Sequence, residues 1–195
     1  MQSSGAVTQA VGRLLVIGLG LIGGSFALGL KQRGGCRTVI GYDLDRDDLV
    51  EGLRLGVIDE IVEDLRQAVE QADVVMLAVP VKVMERVMAT ISPWLQPHTV
   101  ITDVGSAKGN VVAAARQVFG EVPPMFVPGH PIAGSEKSGV AASKSDLFVR
   151  HKVILTPLAE TDRHALRVVH ELWDKLGAEV HHMDVQRHDE VLAAT

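Results

Sequence analysis

The six residues Gly18-Leu19-Gly20-Leu21-Ile22-Gly23 lie between an apolar run, Arg13-Leu14-Leu15-Val16-Ile17, and a segment of helical character, Ser25 to Lys31. A buried strand that turns on glycines straight into a helix leaves few folds open to a chain. Gly18 permits the tight turn, Gly20 lets a phosphate group approach the backbone, and Gly23 lets the helix lie close to the strand. The first amides of that helix, those of Leu21 and Ile22 included, then face an anion that the helix dipole also favours. A second apolar run, Val39-Ile40-Gly41-Tyr42, ends in Asp43, twenty residues beyond Gly23, where a carboxylate receives ribose hydroxyls. Without the second strand and its acid, the glycines would read as an ordinary strand-to-helix turn; with them, the pattern points to dinucleotide binding. Asp43 also predicts NAD over NADP, since a carboxylate repels a 2′-phosphate, although Arg46 is close enough to soften the preference.

The bulk properties narrow the partners. A chain of 195 residues makes one moderate domain, burying about 70% of the surface its unfolded form exposes. Its formal charge of −5 is spread without long runs of one sign, and aromatics are only 4% of the residues, so neither a phosphate-tracking basic face nor stacking platforms for nucleic acid are expected. The single Cys36 excludes an intramolecular disulfide and reads as a small packed side chain. Residues 1–12 lack an apolar core of signal-peptide length, and no later stretch is long enough to cross a bilayer. The expectation is a cytoplasmic protein with a flexible start over residues 1–12 and no membrane partner.

Beyond Asp43, strand and helix alternate. Helical spacing covers Arg46 to Leu55 and Asp64 to Gln71; Asp73 to Pro80 is an unbroken apolar run of the kind covered on both faces; Val81 to Ile91 is helical; Thr99 to Asp103 is a strand, and a turn over Val104 to Gly109 leads into a helix from Asn110 to Phe119. Met125 to Pro128 makes a short strand that empties into a loop, Gly129 to Glu136, and strands at Lys152 to Thr156 and Glu179 to Met183 flank an amphipathic helix, Asp162 to Leu176. The fold class is therefore α/β, a Rossmann-type doubly wound, mostly parallel sheet with extra strands. Residues 13–183 form the dinucleotide-binding domain, and residues 184–195 begin a linker helix. Because Thr195 falls inside a helical pattern without a stop signal, the chain is expected to be cut short there.

Ligands of open α/β sheets bind beyond the carboxyl ends of the strands, so the residues there are the candidates. His130, held between Gly129 and Pro131, has an ordinary pKa of about 6.5 that suits proton transfer, unless it merely closes a turn. Ser106 either caps the helix that follows or offers a hydroxyl to His130 or to substrate. Lys108 either attracts a carboxylate or is a solvated helix lysine. Pro80, lacking an N–H, ends its strand with or without a nicotinamide beside it. His181, His182 and His188 lack metal-ligand spacing, and no metal is assigned.

Asp103-Val104-Gly105-Ser106-Ala107-Lys108-Gly109, joined to Gly129-His130-Pro131-Ile132-Ala133-Gly134-Ser135-Glu136, closely resembles the prephenate dehydrogenases, including the broader cyclohexadienyl (arogenate/prephenate) dehydrogenases. The resemblance runs from about Arg13 to Thr195, and His188-Asp189 with Leu192-Ala193 looks like that family's lead-in to a second, helical domain. It implies an NAD-dependent oxidative decarboxylation of prephenate to 4-hydroxyphenylpyruvate in tyrosine biosynthesis, with arogenate as a further substrate. In it His130 would accept the ring hydroxyl's hydrogen bond, Ser106 would orient His130 and that hydroxyl and also touch the cofactor, and Ser135 and Glu136 would lie beside the substrate. The helical dimerisation domain that would complete the pocket, and form a homodimer, does not occur within these 195 residues. The competing readings are another NAD(P)-linked dehydrogenase, such as a 3-hydroxyacid dehydrogenase, and a regulatory dinucleotide-binding module without catalysis.

Overall fold

A computed structural model describes residues 10–133 and 136–194. Its first strand, β1 (Val11–Ile17), divides the core by the alternation of a pleated strand: Leu14 and Val16 enter one hydrophobic cluster, Leu15 and Ile17 the other, and all four are almost wholly buried. Through α1 (Leu21–Gln32) the chain reaches β2 (Cys36–Tyr42), parallel to β1. There follow α2 (Arg46–Arg54), β3 (Glu60–Ile61), α3 (Leu65–Gln71), β4 (Val74–Leu77), α4 (Val81–Ile91), β5 (Val100–Asp103), α5 (Lys108–Phe119) and β6 (Phe126–Val127). These six strands pair in parallel in the order β3-β2-β1-β4-β5-β6, so the chain reverses direction across the sheet beside β1, and a crevice opens between β1 and β4. β4 repeats the division made by β1, with Val74 and Met76 on one face and Val75 and Leu77 on the other. A sheet covered on both faces needs this all-apolar run, which is why Asp73 to Pro80 does not alternate in polarity.

A second, three-stranded sheet completes the domain. β7 (Gly129–Pro131) runs antiparallel to β8 (Lys152–Leu155), and β9 (Glu179–His182) runs parallel to β8. Between β8 and β9 lies α6 (Arg163–Lys175), which buries Ala165, Val169, Leu172 and Trp173, one stripe of a 3.6-residue period. Trp173 gathers two of the few aromatics, with Phe26 and Phe148 ring centroids at 4.9 and 5.0 Å. The last helix, α7 (Val185–Ala193), is N-capped by the Asp184 side chain and packs against α5.

Several boundaries differ from those read in the sequence. Val11 and Gly12, assigned to a flexible start, belong to β1, because the Val11 amide donates to Gly35 O and Val11 pairs with Cys36. β3 was not anticipated: two residues, one of them an exposed glutamate, make no periodic signal. His130 sits on a strand opposite Ile154, not in a loop. Cys36 is buried, as its packing role requires, and burial followed by the Asp59 charge pushes its thiol up to about 11. No helix among the described residues is long and apolar enough to cross a membrane.

Candidate active site

The glycine turn is built as its spacing demands. Gly18 has φ +97°, and a Cβ there would lie 2.2 Å from the Ala78 carbonyl oxygen, so the β1 and β4 ends could not approach as they do. A Cβ on Gly23 would meet Gly18 O at 2.1 Å, which confines that position to glycine if α1 is to lie against the strand. Gly20 is different: a Cβ there meets nothing within 4 Å, so the space above it is open. Gly20 is also the N-cap of α1 and has no side chain to cap it, and among the described residues no acceptor meets the amides of Leu21, Ile22 or Gly23. Asp43 closes the other side. One carboxylate oxygen accepts the Leu19 N–H at 2.7 Å and the other accepts the Asp45 N–H at 2.8 Å, tying the glycine turn to the end of β2 and leaving lone pairs for hydroxyl donors.

Along this edge runs a cavity of about 570 Å³ whose lining includes Gly18, Gly20, Asp43, Leu44, Pro80 and Arg86. Its walls are mainly apolar side chains of α4 and the β4 end, with Leu44 as the outer rim, 92% exposed. An aromatic base against those walls, ribose hydroxyls at Asp43 and phosphates over Gly20 match the chemistry of the lining, so the residues present fit a dinucleotide.

On the far side of β4, a group of polar side chains is organised around Asp103, the last residue of β5. Its carboxylate accepts the Gly105 N–H at 2.8 Å, the Gly129 N–H at 3.1 Å and the Lys108 ammonium at 2.5 Å. Lys108 also donates to Gly129 O at 2.6 Å, so ammonium and carboxylate, both fully buried, clamp the peptide that precedes His130. Burial pulls the Lys108 pKa down and Asp103 partly restores it. Of the two sequence expectations for Lys108, the solvated helix lysine fails, since the side chain is fully buried, while the attraction to a carboxylate is met within the protein, by Asp103.

His130 is half-buried. Its Nδ1 lies 2.9 Å from Nε2 of His188, whose Nδ1 in turn lies 2.7 Å from Asp189 Oδ1. Burial first, then the Lys108 charge and His188, hold the His130 pKa down at about 4, so its imidazole is neutral at physiological pH. Partial burial acts to raise the Asp189 pKa, but hydrogen bonds from His188 and from the amides of Gly109 and Lys108 bring it below the ordinary carboxylate value.

Of the other residues singled out in the sequence, Ser106 is exposed and, among the described residues, does not bond to His130. Nor does it cap α5. Ala107 is the N-cap, and the Asp189 carboxylate takes the free amides of Lys108 and Gly109 at 3.1 and 2.9 Å from the opposite end of the chain. Glu136 is exposed, and Ser135 lies outside the described residues. His188 and Asp189 are the residues that sequence reasoning missed as parts of this cluster. The only signal was the His-Asp pair near the start of a helix; its partner is 58 residues away.

Strand order, glycine turn and cavity define a nucleotide-binding domain of the Rossmann class. The family model for the prephenate dehydrogenase nucleotide-binding domain matches residues 26–182, and the chain belongs to that family. It is 38% identical to a cyclohexadienyl dehydrogenase of Zymomonas mobilis over 184 residues, covering 93% of this chain and 61% of the relative, and 38% identical to a prephenate dehydrogenase of Bacillus subtilis, covering 95% of this chain and 50% of the relative. Among solved structures, prephenate dehydrogenase from A. aeolicus in complex with hydroxyphenyl propionate and NAD+ superposes with a TM-score of 0.87 at 36% identity, covering 95% of this chain and 64% of that one. The chain thus spans half to just under two thirds of the length of these three proteins.

Proposed function

We propose that this chain is the NAD-binding part of a dehydrogenase that converts prephenate to 4-hydroxyphenylpyruvate with loss of carbon dioxide, in tyrosine biosynthesis, and that accepts arogenate as well. The observation that carries the reading is one neutral, half-buried imidazole, His130, on the short strand that directly follows β6, beyond the carboxyl end of the parallel sheet whose β1 and β2 ends border a cavity fitted to a dinucleotide. Family membership, and the hydroxyphenyl propionate and NAD+ bound in the A. aeolicus structure, support it.

In this reading the amides of Leu21 and Ile22 and the open face of Gly20 hold the pyrophosphate, Asp43 receives the ribose hydroxyls, and Pro80 borders the cofactor. NAD supplies a hydride acceptor. The ring carbon bearing the hydroxyl loses hydride, and the carboxylate on the opposite ring carbon leaves as carbon dioxide, its electron pair completing the aromatic ring. His130 takes the hydroxyl proton as hydride departs and returns it to the phenolic oxygen, so no net proton is consumed. Ser106, which is exposed, donates to the substrate hydroxyl or the cofactor, and the roles of Ser135 and Glu136 beside the substrate follow from the family motif alone. Residues 184–195 lead into a helical domain of the full-length protein that closes the substrate pocket and forms the homodimer; the unmatched third or more of each relative's length leaves room for it.

Calorimetry on this chain is expected to show NAD binding more tightly than NADP, with Asp43→Ala narrowing the gap between them. Steady-state assays with prephenate and NAD are expected to show turnover by the full-length protein and little by residues 1–195 alone. NADP bound equally well, or full turnover by the shorter chain, would contradict the assigned roles of Asp43 and of the second domain respectively.

A further inference from the structure

The hydrogen bonds of α7 say more about His130 than its position does. Three donors converge on the Asp189 carboxylate: the amides of Lys108 and Gly109 and the ring nitrogen Nδ1 of His188. The two amides are the first of α5, where the helix dipole favours negative charge. An ionised carboxylate has no proton to give, so His188 Nδ1 must carry one. A neutral imidazole has a single ring proton, which leaves Nε2 of His188 as a lone pair. That lone pair faces His130 Nδ1 at 2.9 Å, and the contact is a hydrogen bond only if His130 Nδ1 bears the proton. The remaining nitrogen of His130, Nε2, is then the acceptor, and among the described residues it has no partner. With one proton on each ring, any other placement puts proton against proton or lone pair against lone pair at 2.9 or 2.7 Å.

We propose that Asp189 and His188 are positioning residues that act through this chain of contacts to fix the tautomer of His130, so that its Nε2 always presents a lone pair toward the reacting hydroxyl. The proposal rests on the assignment of His130 as the proton acceptor, but its first consequence does not require any reaction. A free imidazole carries its proton on either nitrogen, and only one arrangement can accept at Nε2. His188 is fully buried and its ring stands edge-on to His130, with centroids 5.1 Å apart and planes at 72°, so it cannot be replaced in this contact by water without opening the packing between α7 and α5. The arrangement also joins the acceptor to α7: a shift of α7 would move Asp189, uncap α5 and release the His130 ring together.

Long-range proton–nitrogen NMR on this chain, labelled with 15N-histidine and held at pH 8, reads the tautomers directly. His130 and His188 are each expected to show a protonated Nδ1 and an unprotonated Nε2. A proton on His130 Nε2, or two protons on His188, overturns the proposal. In the full-length protein, His188→Leu fills the buried space without an acceptor and is expected to lower kcat about tenfold or more with the KM for NAD unchanged. His188→Gln places an amide oxygen near the former Nε2 position and should recover most of that loss. Equal losses in both variants, or none in the leucine variant, also overturn it. Failure of the unaltered full-length protein to oxidise prephenate would remove the proposed activity, whereas the tautomer assignment would still be decided by the NMR experiment.

Discussion

In the full-length protein, His130→Asn is expected to leave NAD affinity near its original value and to lower kcat by about 10² to 10⁴, the usual contribution of a positioned general base. Asparagine is smaller than histidine, keeps the polar character of the position on β7 and can still accept a hydrogen bond, but it cannot take up a proton at any accessible pH. The lining of the cavity assigned to the dinucleotide comes from β1, β2, α3, α4 and the residues just after β4 and does not include residue 130, so cofactor binding is expected to be insulated from the change. The loss should therefore appear in kcat and not in the KM for NAD. Turnover at the original rate would reduce His130 to a strand residue whose ring only packs against His188.

The same substitution has a signature in acid. Burial and the neighbouring Lys108 hold the His130 pKa at about 4, against about 6.5 in an unfolded chain. Between those values the unfolded state binds a proton that the folded state does not, so this residue makes folding less favourable as pH falls from 6.5 toward 4, and contributes nothing above that window. His130→Asn should flatten that part of the stability profile. In the unaltered chain the His130 ring should remain neutral on acidification until about pH 4, a midpoint that proton NMR titration measures.

The local geometry of the glycine turn was legible in the sequence and the cluster around His130 only partly so, for a physical reason. Gly18, Gly20, Gly23 and Asp43 belong to one βαβ unit, and the pattern that marks them is complete within 26 residues, although the close approach that confines Gly18 to glycine is to Ala78 on the neighbouring strand end. Even there, the Asp43 bond to the Leu19 amide was not readable, since it depends on how the two loops lean together. Around His130 every important contact is long-range: to His188 across 58 residues, and from Lys108 on the preceding peptide across 21. Ser106 fits the position of a helix cap by local rules, yet the cap comes from Asp189, because α7 brings a carboxylate to that helix end and local propensity cannot register it. The antiparallel β7 escaped notice for a similar reason, as three residues containing glycine and proline have no strand signal apart from the β8 edge they meet.

Lys108→Met should destabilise the domain by about 3–5 kcal/mol, the range for a buried ion pair that loses one partner. For a chain of this size that corresponds to a fall in Tm on the order of 10 °C. Methionine matches the length and apolar stem of lysine, so the cost arises from charge and hydrogen bonding more than from lost volume. Asp103, at 0% exposure, would keep its bonds from the Gly105 and Gly129 amides but lose the ammonium that balances it, and Gly129 O would lose its donor. Adding Asp103→Asn to Lys108→Met removes the uncompensated charge while keeping one amide oxygen as acceptor, and should recover part of the loss, making the two substitutions non-additive. Thermal or urea unfolding of the unaltered chain, both single variants and the double variant measures that coupling. A Lys108→Met protein as stable as the original would mean that the pair stabilises nothing it encloses. A double variant that regains stability while His130 loses its fixed position by NMR would instead separate the two tasks of Lys108, balancing a buried carboxylate and holding the peptide on which the proposed proton acceptor is mounted.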